Sequence, residues 1–165
     1  MGRRRPVFVI QKHDASSLHY DFRLEVDGVL RSWAVPKGPS LDPAQRRLAV
    51  PVEDHALEQG EFEGVHAGQA RGSGAVIVWD EGEYSPLDGD LAAGHLAFTV
   101  HGHKLRGGFA LTETGPRSWI LVKMVDDRAR RGSDVVAEQP RSVRSGRTIG
   151  ELAADDGRGR RAPAQ

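Results

Sequence analysis

The residues whose types and spacing could do chemistry lie in one short stretch, His13-x5-His19-x-Asp21-x-Arg23. If this stretch is a strand, His19, Asp21 and Arg23 point the same way, because side chains alternate across a strand, and they form a polar row about 13 Å long. Imidazole nitrogen and anionic carboxylate oxygen are the donors that suit Mn, Fe, Zn or Ni. An arginine two positions beyond the carboxylate adds a planar fork of donors for a phosphate or a carboxylate. The bland alternative is a hydrogen-bonded His19–Asp21 pair on an exposed strand with His13 in a surface loop, and on residue types alone it is the commoner outcome. Lys37, in Pro36-Lys37-Gly38-Pro39, reads equally as a solvated turn residue, and His55, after Glu53-Asp54, as a loop histidine. His95, His101 and His103 fit structural positions in a later strand and turn, and Trp33, Trp79 and Trp119 fit a core.

The elements that must position these groups read mainly as strands. In 18–26, Leu18, Tyr20, Phe22, Leu24 and Val26 alternate with His19, Asp21, Arg23 and Glu25, which predicts one buried and one polar face. Asp27-Gly28 is a type I′ hairpin signal leading into a second strand, VLRSWAV, which Pro36 and Pro39 stop. Further strands are expected at 48–52, 61–65, 74–79, 95–101, 107–112 and 118–125, the last two joined around Gly115-Pro116. Many short strands separated by turn signals predict a mainly β fold, a barrel or a sandwich. Helix is expected only as a turn near Asp42–Arg46 and a short piece at 149–154. The chain divides into a basic extension at 1–5, one β domain over 6–125, and a polar segment over 126–165 read as a flexible tail. GSGAVIV precedes a strand rather than a helix, so it is no phosphate loop.

Composition bounds the rest. The 165 residues contain 23 basic and 23 acidic side chains, 38% hydrophobic residues and no cysteine. That length suits one domain, and the missing cysteines exclude disulfides, thiolate metal sites and cysteine nucleophiles. The neutral total is unevenly spread. Residues 1–37 carry seven bases against four acids, whereas 51–90 carry ten acids against Arg71 alone. A uniformly basic nucleic-acid footprint is therefore absent, although a local basic face is allowed. No apolar run approaches the roughly 20 residues of a membrane span, and no secretory signal is read, so a cytoplasmic protein is expected.

FVIQKHDASSLHYDFRLEVDGVLRSWAVPKGPS strongly resembles the 3′-phosphoesterase domain family of bacterial ATP-dependent DNA ligase D, in a stand-alone form. The likeness continues through RRLAVPVEDHALE, FEGV, GAVIVWDEGEY, KLRGGFAL, SWILVKM and RSVRSGRTIGELA, covering about residues 6–154. It implies a compact β-barrel of about eight strands with its site on one face. It also implies a manganese-dependent enzyme (Zn2+ or Co2+ being other occupants) that heals DNA 3′ ends for non-homologous end joining. The reaction implied is removal of a 3′-terminal ribonucleotide to leave a 3′-phosphate, then conversion of that phosphate to a 3′-hydroxyl. By the same resemblance His13, His19 and Asp21 hold the metal, and Arg23 and His55 contact the scissile phosphate. With Arg23 and His55, Lys37 and Arg47 match further basic positions that assist in catalysis or phosphate binding, and Gln59 occupies a position at the phosphate. The implied partners are DNA 3′ ends or primer–templates and a DNA ligase or end-binding repair protein. A monomer near the nucleoid is expected.

Three departures bear on that inference. Gln59 stands where the family often has tyrosine, so the phenol's acidity is lost. Residues 65–72, VHAGQARG, replace an IPEGxYGxG segment. Only twelve residues precede His13, fewer than in the arm of the ligase-linked members. These leave a second reading, a catalytically weakened module that binds nucleic-acid ends, with the arginines at 128, 130, 131, 141, 144 and 147 contacting phosphates or lying in a solvated linker. A third class, a non-haem iron oxygenase using His19, Asp21 and His101 or His103 with a cosubstrate at Arg106, is disfavoured by Arg23 and Lys37 beside the row.

Overall fold

A computed structural model describes residues 4–66 and 72–155. The alternation in 18–26 does form a strand. β1 (Val7–Asp14), β2 (Leu18–Val26) and β3 (Val29–Val35) make an antiparallel meander. Asp27 and Gly28 adopt φ of 52° and 83°, which the two-residue turn requires and which matches the strand twist. β4 (Arg47–Ala56) follows, then a 3-10 turn over Leu57–Glu61 and a two-residue β5 (Gly64–Val65). β6 (Ala75–Asp90), β7 (His95–Gly102), β8 (Arg106–Gly115) and β9 (Ser118–Lys123) form a second run of antiparallel strands.

The strand order is β1-β2-β3-β4-β9-β8-β7-β6, and β6 pairs back onto β1, so eight strands close a barrel while β5 adds only to β6. Closure removes the unpaired edges that open sheets must protect. The 16-residue β6 bends through register shifts opposite Ile10/Gln11 and at Pro86/Asp88. Its Gly82 permits a close crossing, since a Cβ there would lie 2.1 Å from the carbonyl oxygen of His101. Phe8, Ile10, Phe22, Leu24, Trp33, Trp79, Phe98 and Phe109 fill the interior, all but completely excluded from water.

Three local outcomes differ from the sequence expectation. Residues 7–14 form a strand although their apolar run does not alternate, because Val9 packs outside the barrel with Leu30 and Val78, against Leu57 and Val143. The expected strand at 61–65 is shortened to Gly64–Val65, and the 3-10 turn over Leu57–Glu61 before it is drawn onto the barrel at Gly60, where a Cβ would meet Leu30 Cδ1 at 2.9 Å. Residues 126–155, polar in composition, lie against the barrel through a few apolar anchors. Val135, in α1 (Val135–Glu138), joins the main core. Leu152, in a helix over 149–155 (α2), covers Ala75 and Ile77, and the amide of Val143 donates to the Val78 carbonyl. Residues 1–3 and 156–165, and with them the rest of the basic extension and tail, lie outside the described residues. No described helix is long and apolar enough to cross a membrane.

Candidate metal and phosphate site

His13 and His19 end and begin neighbouring strands and face each other directly in the β1–β2 register, while Asp21 is paired with Gln11. The sequence row on β2 therefore meets a second row on β1, Gln11 and His13, on the outer face of the barrel. Donor atoms of His13, His19 and Asp21 lie within 4.8 Å of one another. His19 Nε2 is 3.2 Å from the Asp21 carboxylate and His13 Nδ1 is 3.9 Å from it, and the two imidazoles meet edge to face at 5.1 Å.

The electrostatics suit a cation. Burial pushes His13 below the ordinary imidazole range, with the neighbouring His19 adding to the effect, so it is a neutral nitrogen donor. His19 is raised by its hydrogen bond to Asp21. Burial works to raise the Asp21 carboxyl, but the hydrogen bond from His19 and the charges of His19, Arg23 and His13 outweigh it, and Asp21 stays ionised. One atom tests the fit. His13 Nε2 is buried with no hydrogen-bond partner among the described residues, a state that costs about 1–3 kcal/mol unless something meets it. A divalent cation of intermediate softness matches this donor set of two imidazoles and one carboxylate.

Arg23 sits beside this trio, 7% exposed. Its Nε donates to Gln11 Oε1 at 2.7 Å and its Nη1 to Ser32 Oγ at 2.9 Å, while Nη2 lies 3.5 Å from Asp21. Nη1 also lies 3.1 Å from His55 Nδ1, which is 3.0 Å from the Glu53 carbonyl. Gln11 in turn donates to the carbonyls of Gln59 and Phe62. The arginine is thus aimed by three strands and by the 3-10 turn, and its rotamer is fixed before any ligand arrives. Burial lowers its guanidinium, with Asp21 opposing.

These side chains line one open cleft of about 710 Å³, closed on one side by the 3-10 turn and by Phe62 and His66. Of the residues singled out from sequence, it brings together His13, His19, Asp21, Arg23, His55 and Gln59. Lys37 is exposed on the turn after β3, and Arg47 opens β4 with its Nε buried and without a partner among the described residues; neither lines the cleft. His101, His103 and Arg106, the oxygenase candidates, lie on β7, the next turn and β8, likewise outside it. Gln59 uses its side-chain carbonyl to accept from the Ala56 amide at 2.8 Å. Sequence reasoning assigned nothing to Gln11, Ser32, Phe62 or His66. The parity of Gln11 with His13 on one strand was the available signal for the first. Residues 67–71 of the divergent 65–72 loop lie outside the described residues.

Comparison with known proteins gives a consistent result. Residues 11–113 match the family described as the DNA Ligase D 3′-phosphoesterase domain. The multifunctional non-homologous end joining protein LigD of Pseudomonas aeruginosa is 53% identical over 151 residues, covering 86% of this chain and 18% of that protein. Its namesake in Mycolicibacterium smegmatis is 41% identical over 136 residues, covering 77% and 18%. The multifunctional non-homologous end joining DNA repair protein LigD of Mycobacterium tuberculosis is 40% identical over 126 residues, covering 75% and 17%. The chain therefore spans less than a fifth of the length of these relatives.

Proposed function

The chain belongs to the DNA ligase D 3′-phosphoesterase domain family, and from that premise we propose that it is a metal-dependent hydrolase that heals DNA 3′ ends for non-homologous end joining. Its phosphodiesterase step removes a 3′-terminal ribonucleotide, and its phosphomonoesterase step converts the remaining 3′-phosphate to a hydroxyl. The observation that carries this reading is the His13–His19–Asp21 cluster, whose donor atoms lie within 4.8 Å of one another, set directly beside a preoriented arginine.

His13, His19 and Asp21 would hold the metal, Mn2+ by the family resemblance. Such an ion supplies Lewis-acid polarisation of a phosphoryl oxygen and eases deprotonation of water. Arg23, already fixed by Gln11 and Ser32, neutralises charge that builds on the non-bridging oxygens, and no reorganisation is needed at that moment. His55 Nδ1 is committed to Arg23 or to the Glu53 carbonyl. That leaves the other ring nitrogen to meet a phosphate oxygen or to pass a proton to the leaving oxygen. Lys37 and Arg47, outside the cleft, are assigned to phosphates farther along the strand. A ligase or end-binding repair protein is the partner class that would use the healed end.

A weaker second step is expected from Gln59 standing where the family often has tyrosine: its carbonyl accepts from the Ala56 amide, and the NH2 left to donate to a phosphate lacks the acidity of a phenol. The experiment uses a primer–template ending in one 3′-ribonucleotide and a second ending in 3′-phosphate, each with protein and Mn2+ beside a His19→Ala control. Trimming of the first, abolished in the variant, is expected, with slower clearance of the 3′-phosphate. Binding of both without any product would leave an end-binding module and sink the catalytic reading.

A further inference from the structure

At the mouth of the cleft, Phe62 is 36% exposed and the His66 imidazole stacks on its ring, with centroids 4.6 Å apart and planes 19° from parallel. His66 also meets His13 edge to face at 5.7 Å, so this aromatic pair borders the cluster that would hold the metal. Water is a poor neighbour for an exposed pair of ring faces, whereas a flat π-system is a good one.

The pair is firmly placed. The Phe62 carbonyl accepts from Gln11 Nε2 at 2.9 Å, and Gln11 Oε1 accepts from Arg23 Nε at 2.7 Å. The ring platform and the phosphate clamp are therefore two ends of one hydrogen-bonded chain. The His66 amide donates to the Gly74 carbonyl at 2.9 Å, fixing the second ring to the strand edge. Glu53 and Glu58 also line the cleft. Carboxylates in the cleft disfavour additional phosphates there, which suits an uncharged ring system as the second group bound. His66 is not one of the side chains whose donor atoms cluster within 4.8 Å, which separates it from the metal ligands.

We propose that Phe62 and His66 form the stacking seat for the nucleobase of the 3′-terminal nucleotide, next to the phosphate gripped by Arg23 and His55. The inference rests on the phosphoesterase reading above and adds how the end is selected. Stacking on a ring face tolerates any base, and its loss weakens recognition about tenfold to hundredfold. An end lacking a base is then a poor substrate.

The test measures kcat/KM on two primer–templates, one ending in a 3′-ribonucleotide and one ending in the same sugar without its base. The wild-type protein should favour the base-bearing end by about tenfold or more. Phe62→Ala combined with His66→Ala should bring that ratio close to one, chiefly through KM. Phe62→Tyr keeps a ring and should restore the preference, whereas Phe62→Leu keeps apolar bulk and should not. Restoration by leucine would mark a packing role and overturn the proposal. So would a weakened Mn2+ affinity in His66→Ala, read by calorimetry, because it would make His66 part of the metal's surroundings. Equal processing of both ends by the wild-type protein overturns the stacking seat alone. Failure to process either end removes the phosphoesterase reading with it.

Discussion

The two faces of β2 are built from alternate residues of one strand and are held by different physics. Tyr20, Phe22 and Leu24 point into the barrel, where Phe22 is fully buried between Phe8 at 6.4 Å and Phe98 at 6.0 Å. His19, Asp21 and Arg23 point outward, yet Asp21 and Arg23 are 7% exposed, because Gln11, Ser32, His55 and the two histidines close around them. The inner face is stabilised by apolar burial, which is non-directional and tolerates swaps of similar volume. The outer face is stabilised only while every donor meets its acceptor, since a half-satisfied buried network costs more than an apolar patch. The strand can thus lose its chemistry through a change that barely alters volume, and its fold through one that leaves every polar contact in place.

The largest effect should come from the inner face. Phe22→Ala removes a ring from the centre of the barrel and should cost about 3–5 kcal/mol, read as a lower denaturation midpoint in guanidinium. A cost below about 1 kcal/mol would show that the interior can collapse around the gap and that the contrast between the faces is overstated. Phe22→Leu should be milder, because much of the volume remains.

The outer face is tested by Arg23→Lys, which keeps charge and approximate length. A lysine ammonium is a single point of charge and cannot reach Gln11, Ser32 and Asp21 with the fixed fork of a guanidinium. Leaving Gln11 Oε1 and Ser32 Oγ short of a donor should cost about 1–3 kcal/mol. Removing a preoriented donor from the phosphate should lower end processing about hundredfold to thousandfold. Full activity in a normally stable Arg23→Lys protein would mean that charge alone suffices, and that the network around Arg23 serves packing. Together with Phe22→Ala, this makes a paired measurement on neighbouring residues, with the larger stability loss inside and the larger activity loss outside.

The same contrast explains what the sequence disclosed. β2 was legible because its two faces differ in polarity, so the period of two shows in every residue from Leu18 to Val26. β1 was not, because both of its faces are partly apolar: Phe8 and Ile10 fill the barrel while Val9 packs beneath the 3-10 turn. The barrel could be inferred from strand count and turn chemistry. Its closure depends on β1 pairing with β6 some seventy positions away, for which no local pattern exists. Within the site, His13, His19, Asp21 and Arg23 stood out by residue type and spacing. Ser32 and Phe62 did not, since a serine in a strand and a phenylalanine after a glutamate gain meaning only when the chain brings them to Arg23 and His66. The segment after Asp126 hid its packing for a similar reason. Val135, Val143 and Leu152 have no common period because each fills a different hollow on the barrel.

The smallest expected effect contrasts Arg23 with another partly buried cation. Lys104 lies 4.3 Å over the Trp79 ring and donates to the carbonyls of Gln139 and Arg141. Burial pushes its ammonium down to about 8, with Asp80 opposing and Lys12 adding to the shift. Arginine cannot escape burial by losing its proton at any working pH, but lysine can. Between about pH 8 and the ordinary lysine value of 10.5, the unfolded chain holds a proton that folded Lys104 has released. Linkage then requires the Lys104 contribution to stability to rise with pH across that window, and to be flat below it, where both states are protonated. Lys104→Met removes this term. Whatever the variant's stability relative to wild type at pH 7, that difference should shift steadily in favour of wild type from pH 8 to 10.5, as read by denaturant midpoints at several pH values. Arg23→Lys supplies the matching control for the other face. If lysine at position 23 keeps its proton through the Asp21 contact, its stability deficit should stay level over the same range. A deficit at position 23 that shrinks over that range, opposite in sense to the growing difference at 104, would mean that the Asp21 carboxylate does not hold charge on the outer face of β2, which is the premise of the cation site itself.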